Sequence, residues 1–240
     1  MIHSTNSLTE NNWKANMNRK KAENASGRAF KSIKEMIFNY QLIPGQNIDY
    51  IQLTEKLKMS KTPIINGLHR LEEEEFVVSI PNRGFFVKEI DIKEVIELFE
   101  IREALEMLVL EGTVKNQNPE MLGQLEEAMI AHREYPYDVI TRKRQLLDMN
   151  FHLKNAEIAG NMNLFKMLNN VFERIYLRYR SELLAPKRAV VTKKEHQIIF
   201  DAIKDKNTGL AKRAMRIHVK GAMIANIQGI EQVMKGFQNI

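Results

Sequence analysis

Cysteine is absent from this sequence, which removes disulfide cross-links and thiolate metal ligands from any account of its fold or chemistry. A reducing cytoplasm is the compartment this suggests. Long apolar runs are missing too: none approaches the roughly 20 consecutive apolar residues a membrane helix requires. The first 25 residues are polar, so neither a membrane span nor a signal peptide is expected. There is no glycine-rich phosphate loop, no nucleophile elbow and no His-Glu-x-x-His pattern, the usual sequence marks of phosphate-binding, esterase and zinc-peptidase chemistry. Only 6 prolines interrupt the 240 residues, and the one tryptophan, Trp13, sits in the polar leader.

What is present is enough apolar material, 44% of residues, to bury cores in two domains. The formal charge of +6 and the pI near 9.3 favour a polyanionic partner. That charge is spread thinly, since residues 1–88 hold 13 Lys/Arg against 9 Asp/Glu. Charge supports DNA binding without establishing it.

Residues 1–25, rich in Asn, Lys and Ser, carry no periodic apolar pattern and are expected to form a disordered tail. A helix is expected from Ser26, its candidate cap, with Phe30, Ile33 and Ile37 on one face and Pro44-Gly45 ending the unit. Ile48 suggests a short strand, and a helix follows over about Asp49 to Lys58. Ser60 is placed to cap a second helix whose apolar stripe is Ile64, Leu68 and Leu71. A hairpin from Phe76 to Val87 completes the unit, broken at Pro81-Asn82-Arg83-Gly84. This order of elements is a winged helix-turn-helix, which lays its second helix in the major groove and its wing along the backbone. The acidic run Glu72 to Glu75 reads as a solvated helix end turned away from phosphates.

After Val87 only helical periodicity remains. Six helices are expected over about 91–115, 119–133, 137–159, 162–184, 192–204 and 208–234. Thr192-Lys-Lys-Glu195 has the pattern of a capping box that would start the fifth of these. Asp148 and His152 stand at i and i+4, so both project from one helical face. His196 falls in the first turn of the capped helix and His218 lies midway along the last. Carboxylate plus imidazole suits zinc, nickel, manganese or a similar divalent ion, although such an i, i+4 pair is more often a plain polar pair. Arg102 has two readings: an arginine that snorkels to solvent or pairs with Glu106 one turn on, or a guanidinium inside the bundle offering bidentate hydrogen bonds to an organic acid. His132 ends a helix where a cation would suit the dipole.

Across residues 28–233 the chain resembles the GntR family of bacterial transcription regulators, in its FadR-type subgroup with an FCD ligand-binding domain. In the first half the resemblance rests on Leu53-Thr-Glu-Lys-Leu57, Ser60-Lys-Thr-Pro63, Leu68-His-Arg-Leu71 and Pro81-Asn-Arg-Gly84 through Val87. In the second it rests on Ile101-Arg-Glu-Ala-Leu-Glu106, Asp148 through His152, Gly160-Asn161, Glu195-His196 and Met215-Arg-Ile-His218. It implies a mainly α fold, with a winged helix-turn-helix at 26–88 and an antiparallel all-α bundle at 91–235. It also implies a divalent metal, zinc or nickel foremost, held by Asp148, His152, His196 and His218, and a carboxylate effector met by Arg102. The expected partners are double-stranded operator DNA and a second copy of the chain, with no membrane.

The DNA-reading helix departs from the family pattern. Ile65-Asn66-Gly67 replaces the usual Arg-Glu-Ala, and Lys61 replaces another arginine, losing the planar fork that grips guanine or phosphate. Ser60, Lys61, Thr62, Asn66, Arg83 and Gly84 are the candidate DNA contacts. The expected function is therefore a ligand-responsive DNA-binding regulator and not an enzyme. The alternatives are a metal-responsive regulator with no organic effector and a metal-dependent hydrolase.

Overall fold

The computed structural model describes residues 25–136, 142–178 and 186–237, so nearly all of the expected tail lies outside the described residues. The chain divides into two compact units, Met1–Glu89 and Ile90–Ile240.

In the first unit residues 25–38 form a helix, α1, which buries Ala29, Ile33 and Ile37. Residue 25 is already helical, so Ser26 lies inside the helix and does not cap it. Strand β1 (Asn47–Ile48) leads into α2 (Tyr50–Leu57), then α3 (Lys61–Glu73) and the wing strands β2 (Val77–Ile80) and β3 (Gly84–Val87). Asp49 starts α2 by accepting hydrogen bonds from the Ile51 and Gln52 amides, and Lys58 ends it in the left-handed region. Ser60 holds the N-cap position of α3 with extended backbone, but its hydroxyl makes no capping bond. The buried face of α3 is Ile64, Gly67, Leu68 and Leu71, the spacing a 3.6-residue repeat demands. The antiparallel sheet runs β1-β3-β2, with Ile48 opposite Phe85 and Val78 opposite Phe86.

The acidic run at the end of α3 is not merely solvated. Glu74 pairs with Lys34 of α1 at 2.7 Å, Glu75 with Lys88 at 2.7 Å, and Glu72 accepts from the Ser79 amide at 3.0 Å. These carboxylates tie α3 to α1 and to the wing, because the turn after Glu74 folds the wing back alongside them.

Gly67 also has a structural reason. A Cβ added there would lie 2.8 Å from the Phe30 backbone nitrogen and 3.2 Å from Ala29, so α1 crosses α3 at a distance only glycine permits. Alanine normally gains about 1 kcal/mol over glycine in a helix. Here overpacking against backbone, at roughly 1–3 kcal/mol, outweighs that gain. Gly67→Ala is expected to lower stability by about 1 kcal/mol in chemical denaturation, and a stabilised variant would overturn this account of the crossing.

The second unit contains α4 (Ile92–Asn116), α5 (Pro119–Glu134), α6 (Arg142–Ala159), α7 (Met162–Arg178), α8 (Pro186–Lys204) and α9 (Thr208–Phe237). Helix α4 packs against α6, α7, α8 and α9, and Leu98, Val109 and Leu110 from it join Phe151, Leu168, Ile199 and Met215 in one core. Asp91 caps α4, and Asn118 followed by Pro119 starts α5. Helix α8 begins at Pro186, which corrects the capping-box reading: Thr192 is mid-helix and its hydroxyl donates to the Arg188 carbonyl. His196 therefore sits in a helix interior, where its ring is directed by packing. Among the described residues no helix is long and apolar enough to cross a membrane.

Candidate metal centre

Asp148 and His152 project from one face of α6, His196 comes from α8 and His218 from α9. One ligand atom from each lies within 4.8 Å of all the others. His152 Nε2 and His218 Nε2 are 3.1 Å apart, and Asp148 Oδ1 is 3.3 Å from His196 Nε2. Neighbouring ligands bound about 2.1 Å from one ion stand about 3.0–3.4 Å apart in octahedral or tetrahedral geometry, so these separations suit a shared divalent cation. The three imidazoles are buried, while the Asp148 side chain retains 25% exposure.

Protonation favours the same use. Burial pushes His218 down to about 3 against the pull of Glu195, and burial lowers His196 more than Asp148 raises it. Both rings are thus neutral near pH 7, with lone pairs ready for an ion. Burial works against charge on Asp148, yet its contact with His196 and the surrounding imidazoles hold its pKa well below the usual carboxylate range. Neither ring nitrogen of His196 makes a well-aligned hydrogen bond among the described residues, Asp148 at 3.3 Å being the charged contact of its Nε2. A buried polar atom in that condition calls for a ligand.

A second layer fixes the rings. Glu106 Oε1 lies 2.8 Å from His152 Nδ1, and Glu195 Oε2 lies 2.9 Å from His218 Nδ1. A carboxylate beside Nδ1 holds the proton there and leaves Nε2 as the lone-pair atom. Arg188 in turn grips Glu195 with two bonds of 2.9 and 2.8 Å and donates to the His218 carbonyl. Burial works against charge on Glu195, yet its hydrogen bond with His218 and then the charge-assisted Arg188 fork bring its pKa down to about 2.

Arg102, on α4, faces inward. Its Nε lies 3.3 Å from Glu106 Oε1, and its Nη2 is 2.9 Å from His152 Nε2 and 3.3 Å from His218 Nε2. Arg102 thus pairs with Glu106 and is buried in the bundle, not turned to solvent. Beside the quartet a partly open cavity is bordered by Arg102, Asp148, His218, His132, Phe99 and Phe172 among others. His132 is not an exposed helix-end cation. It is buried with its ring 4.8 Å from that of His196, and burial drives its pKa down to about 3, so it is neutral.

Sequence reasoning missed Glu106 and Glu195 as ring-orienting groups and Arg188 altogether. The available signal was Glu106 one turn after Arg102, a spacing that could equally have meant a surface pair. Arg188, seven residues before Glu195 on the same helix, was not picked out by any motif.

In the first unit Ser60, Lys61, Thr62, Asn66 and Arg83 are exposed and Gly84, at φ +91°, is half-buried. The Lys61 ammonium lies 4.8 Å from the Tyr50 ring centre and Arg83 lies 5.3 Å from that of Phe86, both aromatic rests for otherwise mobile cations.

The FCD domain family matches residues 97–221, more than half of the chain. This protein is a GntR-family transcriptional regulator with an FCD domain. The FCD match takes in all four clustered side chains together with Arg102, Glu106, Arg188 and Glu195. Among similar proteins, the HTH-type transcriptional regulator YdhC of Bacillus subtilis is 27% identical over 191 residues, 79% of this chain and 85% of YdhC. The transcriptional repressor RspR of Escherichia coli is 22% identical over 198 residues, 80% of this chain and 84% of RspR. In fold, the FCD regulator is similar to the solved structure of E. coli McbR/YncC, with a TM-score of 0.74 at 20% identity over 85% of this chain and 97% of that one. The two sequence relatives are named as transcriptional regulators, not enzymes.

Proposed function

We propose that this regulator reads operator DNA as a homodimer in the cytoplasm and responds to a small carboxylate bound in the FCD domain beside a divalent ion, zinc or nickel foremost. The observation that carries the reading is the convergence of Asp148, His152, His196 and His218 next to a cavity bordered by a buried arginine. When bound, the ion supplies a Lewis-acid anchor for a carboxylate oxygen. The protein's own groups do the rest: Glu106 and Glu195 orient the rings, Arg102 offers its fork to the acid, and Phe99 and Phe172 shield the site from water. Ser60, Lys61, Thr62 and Asn66 on α3, with Arg83 and Gly84 on the wing, meet the DNA.

Helices α4 and α9 supply the surface for a second copy. On α4 the exposed stripe is Glu97, Ile101, Ala104, Leu108 and Glu111; on α9 it is Leu210, Arg213, Ile217, Lys220 and Ile224. The two helices pack together, and Arg216–Glu103 and Lys212–Glu111 pairs bind them. One stripe is acidic and the other basic around apolar centres, so a twofold axis that lays α4 on the partner's α9 matches both charge and hydrophobicity.

An acid that regulates DNA binding must bind the two DNA-affinity states unequally, so the effect is reciprocal. With zinc at saturation, carboxylates titrated against the full-length protein should include one whose affinity changes by the same factor on adding operator DNA as the operator's changes on adding the acid. His196→Ala should abolish that response and reduce the zinc content while helicity persists. DNA affinity that follows zinc concentration and no acid would replace this reading with a metal sensor.

A further inference from the structure

We propose that Arg102 occupies the ion's place in the metal-free FCD domain, so that metal entry expels it and thereby creates the cationic receptor for the carboxylate. The inference rests on the metal reading given above and adds its order and control. Arginine is always charged and cannot accept a hydrogen bond. Its Nη2 stands 2.9 Å from His152 Nε2 and 3.3 Å from His218 Nε2, so both nitrogens must receive through their lone pairs. Glu195, hydrogen-bonded to His218 Nδ1, keeps that ring's lone pair on Nε2, and the Glu106 carboxylate 2.8 Å from His152 Nδ1 favours the same arrangement there. The Nε2 atoms are only 3.1 Å apart, two acceptors that would repel without a cation to bridge them. One guanidinium nitrogen with two N–H bonds supplies that bridge.

An imidazole nitrogen has a single lone pair. Arg102 and a divalent ion therefore cannot both use His152 and His218, and the ion must displace the guanidinium. The displaced group is not lost to solvent: its Nε retains Glu106 at 3.3 Å, and Phe172 lies 4.5 Å beneath the guanidinium carbon as a stacking surface. Arg102 is among the residues that border the cavity, so the freed Nη donors have that space to turn toward. They then become unpaired donors beside a new dication, a site that asks for an anion. Ion first and acid second follows from this geometry, with an arginine acting as the stored counterpart of the ion.

The test is zinc affinity, measured by competition with a chromophoric chelator on the full-length protein without any acid. Arg102→Met removes the competitor and should tighten zinc binding by about tenfold or more, since neither a bond to the lone pairs nor like-charge repulsion opposes the ion. Because that variant leaves Glu106 with one partner fewer, Arg102→Met is also made in a Glu106→Gln background and compared with Glu106→Gln alone, where it should tighten zinc in the same sense. Zinc binding by all four proteins with no tightening in either pair would overturn the Arg102 proposal and leave the metal centre standing. Failure of all four to bind zinc would overturn the metal reading and this proposal with it.

Discussion

Glu106→Leu is expected to be among the most damaging single substitutions in the helical domain, lowering its stability by about 3–5 kcal/mol. Glu106 has no exposed surface, and it is the only carboxylate paired with Arg102 among the described residues. Its carboxyl is held below the usual range by His152, Arg102 and His218, which together overcome the strong opposing effect of burial. Leucine fits the volume but leaves a permanent guanidinium charge buried at the bundle centre without a counter-charge, which is why the cost exceeds that of a lost surface pair. The same change takes away the carboxylate next to His152 Nδ1, so the ring loses the group that fixes its tautomer, and zinc affinity should fall by about 10–100-fold. Chemical denaturation with and without zinc, set beside chelator competition, separates the two effects. A variant with an unchanged denaturation midpoint would show that Arg102 does not depend on Glu106 for its charge balance.

The second large effect is expected on the surface. Ile217 is 65% exposed, the most open apolar side chain among the described residues of α9, and it lies at the middle of the Leu210, Ile217 and Ile224 row. Ile217→Asp removes apolar area at the centre of the proposed dimer face and places a carboxylate opposite the acidic α4 stripe of the partner, so like charges meet where a hydrophobic contact is required. The free monomer should lose almost nothing, because surface substitutions away from special features fall within about 0.5 kcal/mol. Sedimentation should show monomers at micromolar concentration, and affinity for a full operator should drop by about 10²–10⁴, the factor that joint binding of two reading heads supplies. Binding to a single half-site should be unaltered. A variant that sediments as a dimer would place the interface elsewhere.

Most of the fold was legible because its signals are short in range. The Ile64, Leu68 and Leu71 stripe, the wing around Gly84 and the Asp49 helix start all depend on backbone bonds and side-chain directions within a few residues. Local patterns failed where two structures share one pattern. Thr192 and Glu195 match a capping box, yet the helix already runs from Pro186, and each side chain finds a partner within or beyond it. His132 stands at a helix end as expected, but burial, which no neighbour in sequence announces, makes it neutral.

By itself the sequence determined the helical and strand periodicities, the pairing of Asp148 with His152 on one face and, through its motifs, the regulator family. Only the tertiary structure decided that His196 and His218 reach that pair, that Arg102 points inward onto two imidazoles, that Glu106 and Glu195 stand against the Nδ1 atoms of His152 and His218, and that Gly67 is where α1 crosses α3. The reason is one of distance along the chain. A helix dictates which residues share its face, whereas the meeting of groups such as Arg102 and His218, 116 residues apart, is settled by how four helices pack around a common core.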